Sequence, residues 1–477
     1  MGKRFALGAL LIVLLTAAAT ATATLLEISA DVTIIKQGKK IPGIANVLDS
    51  VDGGGPQTIL ILGSDRRFVD IKEHNPARSD TILLVRLDPS KPATPVLSIP
   101  RDLVVDIPGF GRDKINDAYA DGGPSLTVRT IRELLHIPIN HVINVNFGGF
   151  RKAVDRLHCV YVDIDRRYFN DNNPPAGGGG NYATINIQPG YQKLCGSDAL
   201  DYVRFRHLDT DFVRAARQQD FLSQAKSQLG LGRLFSDRKA LLKIFADSTQ
   251  TDIRSTSSTL RLLKLAFEVA GHPIRQVHFL GDIAGDSTFS YVSITADNLL
   301  QVRREFLDPT PPKPRAPRPG AAAAKGRPGL APGMIPDGRA ALAYVKHAAR
   351  RSRLPLLYPT HRLEKGSYAT DPPRVYRIDD RNHHSYNAYR IVVDANMIGQ
   401  YYGVQGLGWR TPPILSGPSE TRVIGGRRFS LYYDGTKLRI VALRTAHGVY
   451  WVSNTLSELL TNRQMLDIAA SLRRARR

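Results

Sequence analysis

Residues 308–336 are dominated by Pro, Ala, Gly and Arg, a make-up that cannot bury a core. Such a stretch reads as a semi-rigid spacer. The 477-residue chain is therefore expected to form two separately cored units, 28–307 and 337–477. Ahead of them stands a segment of a third kind. Met1 to Arg4 are short and basic, and residues 5–26 carry no charge. As a helix rising ~1.5 Å per residue, that run crosses a ~30 Å hydrocarbon core. Residues 1–27 are thus expected to be a cytoplasmic stub and a single membrane anchor, with Lys3 and Arg4 inside and everything after them outside. A cleaved signal peptide is the alternative, because residues 17–24 are small enough to offer a cleavage site.

In the first unit, strand patterns at 57–62, 81–87, 94–99, 141–146 and 160–164 alternate with helical spacing at 125–137 and 147–157. Helices follow at 214–229, 239–245 and 257–270, then closing strands at 274–280 and 288–294. Strands alternating with helices predict a layered α/β domain. The second unit shows strand patterns at 388–393, 427–433, 438–443 and 449–453, a turn at Asp434–Gly435 and a last helix near 457–472. It reads as a smaller β-rich α+β module.

The formal net charge of +22 calls for an anionic partner. An address outside the cell argues against nucleic acid. It leaves anionic membrane surfaces, phosphate-bearing polymers and lipid-linked pyrophosphates. The two cysteines, Cys159 and Cys195, fall in the same unit, and oxidising compartments preserve disulfides. Two separately buried thiols are the alternative.

Five polar clusters stand at strand ends or helix starts: GSDRR (63–67), RSDT (78–81), SIPRD (98–102), YVRFRH (202–207) and DFVRAARQQ (211–219). Carboxylates hold a hard cation such as Mg²⁺ through oxygen, alongside water and substrate phosphate. Arginine forks match phosphate oxygens two at a time. Asp65 follows a strand and a glycine, which places it at a strand's carboxyl end, where open α/β sheets bind ligands. Asp80 opens the next strand, so both carboxylates are expected on one cation. Turn or cap roles are the alternative. Arg204 and Arg206 are two apart and would share one face of a strand, with Val203 and Phe205 towards the core. A solvated edge strand explains them equally. Asp211, Arg214 and Gln218 fall at i, i+3 and i+7 on one helix face, flanked by Arg217 and Gln219. Asp211 as a simple helix cap is the alternative. Arg101 stands at another strand end, and Arg78 precedes Asp80 by two. Lys114 lies in KINDAYADGG, before a Gly-rich entry to a helix that can offer N–H groups to an anion.

In order and spacing these blocks, with LCGSDALDY (194–202), resemble the LytR–CpsA–Psr family of cell-wall ligases over roughly residues 57–229. The resemblance implies an α/β sandwich with a mixed central sheet between helices and an apolar groove for a polyprenyl tail. It implies Mg²⁺, with Mn²⁺ as a substitute, on Asp65 and Asp80. It implies phosphate-binding arginines at Arg78, Arg101, Arg204, Arg206 and Arg214, with Gln218 beside them and Asp211 in support. Lys114 is carried along as a substrate-binding residue, and Arg217, beside the same helix face, is read as a second one. The implied reaction moves a glycan with its proximal phosphate from a polyprenyl-pyrophosphate carrier onto a peptidoglycan hydroxyl. The implied partners are the lipid-linked glycan, peptidoglycan and the membrane. The same residues would serve a pyrophosphatase, with water as acceptor, or a non-catalytic envelope regulator that binds lipid-linked intermediates. Either Asp102 or Asp65 is a candidate base. One departure is visible: His158–Cys159 stand where many relatives have Gly-Gly, and with Cys195 this looks like a disulfide variant. The second unit shows no metal spacing and no nucleophile signature, and His383–His384 read as solvated rather than ligating. Wall binding and partner docking are both open roles for it.

Overall fold

The computed structural model describes Thr33 and residues 39–50, 55–65, 78–171, 183–205, 209–228, 237–279, 281–285, 290–309 and 330–475. The anchor or signal expected over 1–27 lies outside these residues. Among the described residues, no helix is long and apolar enough to cross a membrane.

Three apolar segments rich in Leu, Ile and Val form adjacent strands, β1 (Gln57–Asp65), β2 (Arg78–Leu87) and β3 (Thr94–Ile99). Then come a hairpin of β4 (Val104–Ile107) and β5 (Gly111–Lys114), α1 (Asp117–Leu135), β6 (His141–Val145), α2 (Phe147–Arg156) and β7 (Val160–Ile164). β8 (Tyr168–Asn170), β9 (Ile185–Ile187), β10 (Gly190–Leu194), α3 (Gly196–Arg204) and α4 (Asp211–Gln228) follow. α5 (Arg238–Ser248), β11 (Thr249–Thr251), α6 (Thr256–Glu268), β12 (Ile274–Val277), an antiparallel pair Asp282–Gly285 and Ser290–Ser293, and α7 (Ala296–Leu307) complete the unit. The central sheet runs β11-β6-β1-β2-β3-β12. It is mixed: β1 is parallel to β6 and β3 to β12, whereas β1–β2, β2–β3 and β6–β11 are antiparallel.

β3 is buried along its whole length, as a strand covered on both faces must be. Its Leu97 and Ile99 join Leu126 and Ile131 of α1 and Val302 and Phe306 of α7. Ser98, between them, faces the other way and donates to Gln218 of α4 at 3.5 Å. The sheet is thus sandwiched between α1 and α7 on one side and α4 on the other. α1 starts earlier than its apolar spacing predicts, because a first turn precedes a break at Gly122–Gly123, where Gly123 has φ 61° and Pro124 restarts the helix.

Cys159 and Cys195 are joined by a disulfide that ties the end of α2 to the start of α3. His158 and Cys159 both have positive φ, 60° and 68°, a region that glycine enters more freely. The backbone therefore keeps, at these two positions, a shape suited to the Gly-Gly that the family resemblance implies.

In the second unit, Ser385–Asp394, Tyr401–Leu407, Val449–Ser453, Lys437–Arg444, Arg427–Asp434 and Glu420–Ile424 lie side by side in that order, all antiparallel. The turn at Asp434–Gly435 places Gly435 at φ 56°. Helices Gly338–Arg351 and Asn462–Ala470 cover one face of this sheet, around Val345, Tyr389, Phe429 and Ile468. The last helix is shorter than expected because Thr461 and Gln464 form a capping box at its start. Ala331 and Met334 are buried in the same core, and Met334–Pro336 pairs with His361–Leu363. Residues 331–336, expected as spacer, therefore belong to the second unit.

The opposite face of that sheet packs against the first unit. Tyr161 of β7 and Tyr191 of β10 share one apolar cluster with Leu407, Ala442, Val449 and Trp451. Asp163 of β7 accepts from Arg390 Nη1 at 3.1 Å and from Trp451 Nε1 at 2.9 Å, all three buried. Asp220 of α4 pairs with Arg439, and Arg275 of β12 with Asp434 at 3.3 Å.

Glu458 sits at this seam, 8% exposed. Burial, then the charge of Asp434, push its carboxyl up to about 8, against the opposing pull of Arg439, Arg275 and Lys437. An unfolded glutamate ionises near 4.3. Between those values the unfolded chain has released a proton that the folded chain keeps, so stability falls as pH rises through the window. Glu458→Gln is expected to melt close to wild type at about pH 4.5 and several degrees above it at about pH 8. Scanning calorimetry at both pH values checks this, and a difference independent of pH would overturn it.

Candidate anion-binding site

Strand register collects the polar clusters at one end of the sheet. β1 ends at Asp65, opposite Arg78 at the start of β2. The pairing shifts there: Gly63 faces Thr81 and Ser64 faces Ser79, leaving Asp80 as the extra residue of a β-bulge. Bulges next to functional sites re-aim side chains. A side chain at Gly63 would be tight, because a Cβ there would meet the Thr81 Cβ at 3.0 Å. β3 is antiparallel to β2, so its carboxyl end, followed by Arg101 and Asp102, lies at this same end of the sheet. β6 is parallel to β1, so Phe147 after it lies there too.

Asp102 is the hub of the charges. Its carboxylate lies 3.4 Å from Arg101 Nε and 3.3 Å from Lys114 Nζ. Arg101 and Arg214 are each only 7% exposed. Burial raises the Asp102 pKa, but Arg101, Lys114 and Arg214 together outweigh it and hold the carboxyl below its usual range. The KINDAY segment is stitched onto the loop after β3: Ile115 N–H donates to Leu103 O at 2.8 Å and Asn116 N–H to Arg101 O at 3.2 Å. Asn116 Oδ1 is buried with no hydrogen-bond partner among the described residues.

Gln218 acts as a brace. Its Nε2 donates to Thr81 Oγ1 and to Val203 O, both at 3.2 Å, while its Oε1 accepts from Ser98. One amide thus fixes α4 against β2, β3 and the end of α3, and so sets where Arg214 stands, one turn earlier. Asp211 is the first residue of α4.

Three expectations change here. YVRFRH is not a strand: Tyr202–Arg204 is the last turn of α3, and Phe205 is its C-cap. The run GSDALDYVR folds as a helix because Ala199, Leu200 and Tyr202 bury one side while Asp198 sits in the first turn. The shared-face argument for Arg204 and Arg206 therefore fails, and Arg206 lies outside the described residues. Arg204 is instead held by Asp201 at 2.6 and 3.0 Å, with its guanidinium 5.6 Å from the Phe147 ring centroid. The second change is Arg217, which does not face a substrate. It is fully buried, donating to Tyr202 O at 2.8 Å, to Phe205 O at 3.1 Å and to Asp209, above the ring of Tyr168. Third, Asp102, a candidate base from sequence, is ion-paired with both Arg101 and Lys114, so it also positions the cations around it.

Sequence reasoning missed Asp209 and Asp201. Asp209 takes Arg166 at 2.5 Å as well as Arg217, and nothing local in the sequence signals that. The Asp201–Arg204 pair was visible as an i, i+3 spacing once the segment is read as a helix.

Buried arginines thus gather around a carboxylate at the strand ends of an α/β sandwich. The LytR_cpsA_psr family model matches residues 19–305, and the chain belongs to that family. A polyisoprenyl-teichoic acid–peptidoglycan teichoic acid transferase, TagT of Bacillus subtilis, is 38% identical over 168 residues, 35% of this chain and 50% of the relative. TagU of Oceanobacillus iheyensis, which carries the same transferase name, is 34% identical over 203 residues, 41% of this chain and 58% of the relative. The chain thus spans about half the length of these curated relatives. Among solved structures, TagT bound to LIIa-WTA is 27% identical with a TM-score of 0.40, covering 54% of this chain and 92% of that one. B. subtilis TagV is 25% identical with a TM-score of 0.43, covering 54% and 97%.

Proposed function

We propose that the chain is a phosphotransferase that moves a glycan with its proximal phosphate from a polyprenyl-pyrophosphate carrier onto a peptidoglycan hydroxyl. It would work outside the cell, tethered by an anchor within residues 1–27. The observation that carries this reading is the convergence of Arg101, Lys114 and Arg214 on the sheet end where register places Asp65, Arg78 and Asp80. The transferase names of TagT and TagU support it.

In the proposed step the acceptor oxygen forms a bond to the proximal phosphorus. The bond from that phosphorus to the bridging oxygen breaks, and polyprenyl phosphate leaves with that oxygen and its electron pair. The acceptor proton passes to a carboxylate at this end of the sheet, Asp65 or Asp102. Charge grows on the bridging and non-bridging oxygens, where Arg101 and Arg214 are already fixed and desolvated. Cations arranged in advance are usually the largest catalytic contribution. Asp102 keeps Arg101 and Lys114 in place.

The donor set suits Mg²⁺, or Mn²⁺ in its place: two carboxylate-bearing residues at neighbouring strand ends, with pyrophosphate oxygens to fill the remaining positions. Asp65 and Asp80 would hold the ion, which when bound would neutralise charge developing on the phosphate oxygens.

The test uses a lipid-linked glycan labelled in its proximal phosphate, incubated with the protein and peptidoglycan. Label is expected in wall-bound glycan, with release of polyprenyl monophosphate, lost on chelation and restored by Mg²⁺. Label appearing only as soluble glycan phosphate would identify a hydrolase and overturn the reading.

A further inference from the structure

A cleft of about 760 Å³ opens at the seam, between the end of α4, the loop 380–386 and the segment 408–416. That is within the ~300–1,000 Å³ of ordinary ligand sites. It is separate from the arginine cluster. Gln228 at its wall is fourteen residues beyond Arg214 in α4, about 21 Å along the helix at ~1.5 Å per residue.

Its walls are of two kinds. Trp409 and Tyr386 stack nearly parallel, with centroids 5.9 Å apart and planes at 15°. Tyr161 of the first unit meets Trp409 edge-on at 5.3 Å, so the indole is braced by the core of the seam. Beside this aromatic platform the cleft is lined by Arg381, Asn382, His384 and Arg410. The loop is preformed. Asp380 accepts the backbone N–H groups of Asn382 and His384 at 2.8 and 2.9 Å and the hydroxyl of Tyr386 at 3.2 Å. Arg381 is anchored by one bond from Nη2 to Gln228 O at 3.3 Å, and its buried Nε has no hydrogen-bond partner among the described residues.

This lining selects among ligand classes. Aromatic faces carry the negative side of the ring quadrupole and pack against the C–H faces of pyranose rings. Amide and imidazole groups exchange hydrogen bonds with hydroxyl and acetamido groups. Guanidinium forks match carboxylates as well as phosphates, so they call for an acidic chain and the probes below distinguish its acid. A prenyl tail would leave these polar groups unpaired. A metal would find a single carboxylate in the lining, Asp380, already committed to its own loop.

We propose that the cleft binds a glycan of N-acetylated amino sugars bearing carboxylates, an acceptor chain held by the second unit away from the arginine cluster. The choice of an acceptor chain rests on the transferase reading above; the cleft chemistry does not. Loop preorganisation by Asp380 lowers the ordering cost of binding.

The test is isothermal titration of the full-length protein in detergent. The probe is a soluble β-1,4 oligosaccharide of alternating N-acetylglucosamine and N-acetylmuramic acid, with a neutral N-acetylglucosamine oligomer beside it. Saturable binding is expected, weaker for the neutral chain. Exposed Arg410→Gln is expected to weaken the acidic chain about tenfold, as loss of one charge-assisted contact does. Trp409→Leu is expected to abolish binding, with melting by circular dichroism to confirm the fold; Arg410→Gln keeps the test decisive if Trp409→Leu unfolds. Arg214→Ala is expected to bind as wild type. No binding by the wild-type protein, unchanged binding in Arg410→Gln, or binding only of a phosphodiester-linked glycopolymer would each overturn the proposal. Binding is read without catalysis. A protein that binds the chain yet transfers nothing therefore sinks the transferase reading alone, and one that transfers while its cleft variants bind unchanged sinks the cleft alone.

Discussion

Arg214→Ala is expected to lower single-turnover transfer from a lipid-linked pyrophosphate by about a hundredfold or more, with the fold retained. Arg214 is almost wholly buried, near the start of a helix that Gln218 braces against two strands. In the proposed reaction its guanidinium would meet the pyrophosphate already desolvated and oriented, where a charge-assisted bond is worth the most. Arg214→Lys is expected to recover only part of the rate, because an ammonium cannot reproduce the planar fork. A second readout separates this from simple misfolding. Arg214 is one of three cations holding the Asp102 carboxyl down, so its removal must move that pKa up. The acid limb of any pH profile that depends on Asp102 should then shift to higher pH. Transfer near the wild-type rate in Arg214→Ala would mean that this end of the sheet does not hold the reacting phosphates.

Arg390→Ala is expected to cost about 3–5 kcal/mol of stability, as breaking a buried ion pair does. Arg390 crosses the seam to Asp163, and the pair lies out of reach of water. Removing the guanidinium leaves Asp163 with the Trp451 indole N–H and opens a cavity where a buried arginine side chain had been. Replacing both partners with apolar residues, Asp163→Leu with Arg390→Met, should recover part of the loss. Recovery should stop short of complete, because the Trp451 indole then loses its acceptor. Chemical denaturation of the three proteins reads these differences. Wild-type stability in Arg390→Ala would show that the seam carries little of the fold's energy.

Much of the first unit could be read from one-dimensional pattern. β3 and β7 fall at the residues their apolar runs predict, and α2 differs from its predicted span by one residue. What pattern could not show was relation. YVRFRH has the composition of a strand, yet α3 absorbs its first half because the residues before it supply the buried side of a helix. Arg217 and Arg214 are three apart and equally basic in sequence. One points into Tyr168, Asp209 and two carbonyls, and the other towards Asp102. Only the position of Asp209 beside α4 decides which is which. The bulge at Asp80 is likewise a property of pairing between strands, not of either strand. The seam was least legible of all. Asp163 finds Arg390 227 positions away and Asp220 finds Arg439 219 away, across a spacer whose composition argues for independence.

That seam limits how the chain can be rearranged. The buried pairs that join the units, Asp163–Arg390 and Asp220–Arg439, both lie outside the spacer. Exchanging the second unit for an unrelated one is a different matter, because Asp163 and Asp220 would be left in a dry boundary without Arg390 and Arg439. A replacement must present two guanidinium groups at the same places, or the first unit must lose two carboxylates at the same time. Modularity therefore survives in the linker and is lost at the contact, so a hybrid joined only by matching lengths would inherit the break without the bond.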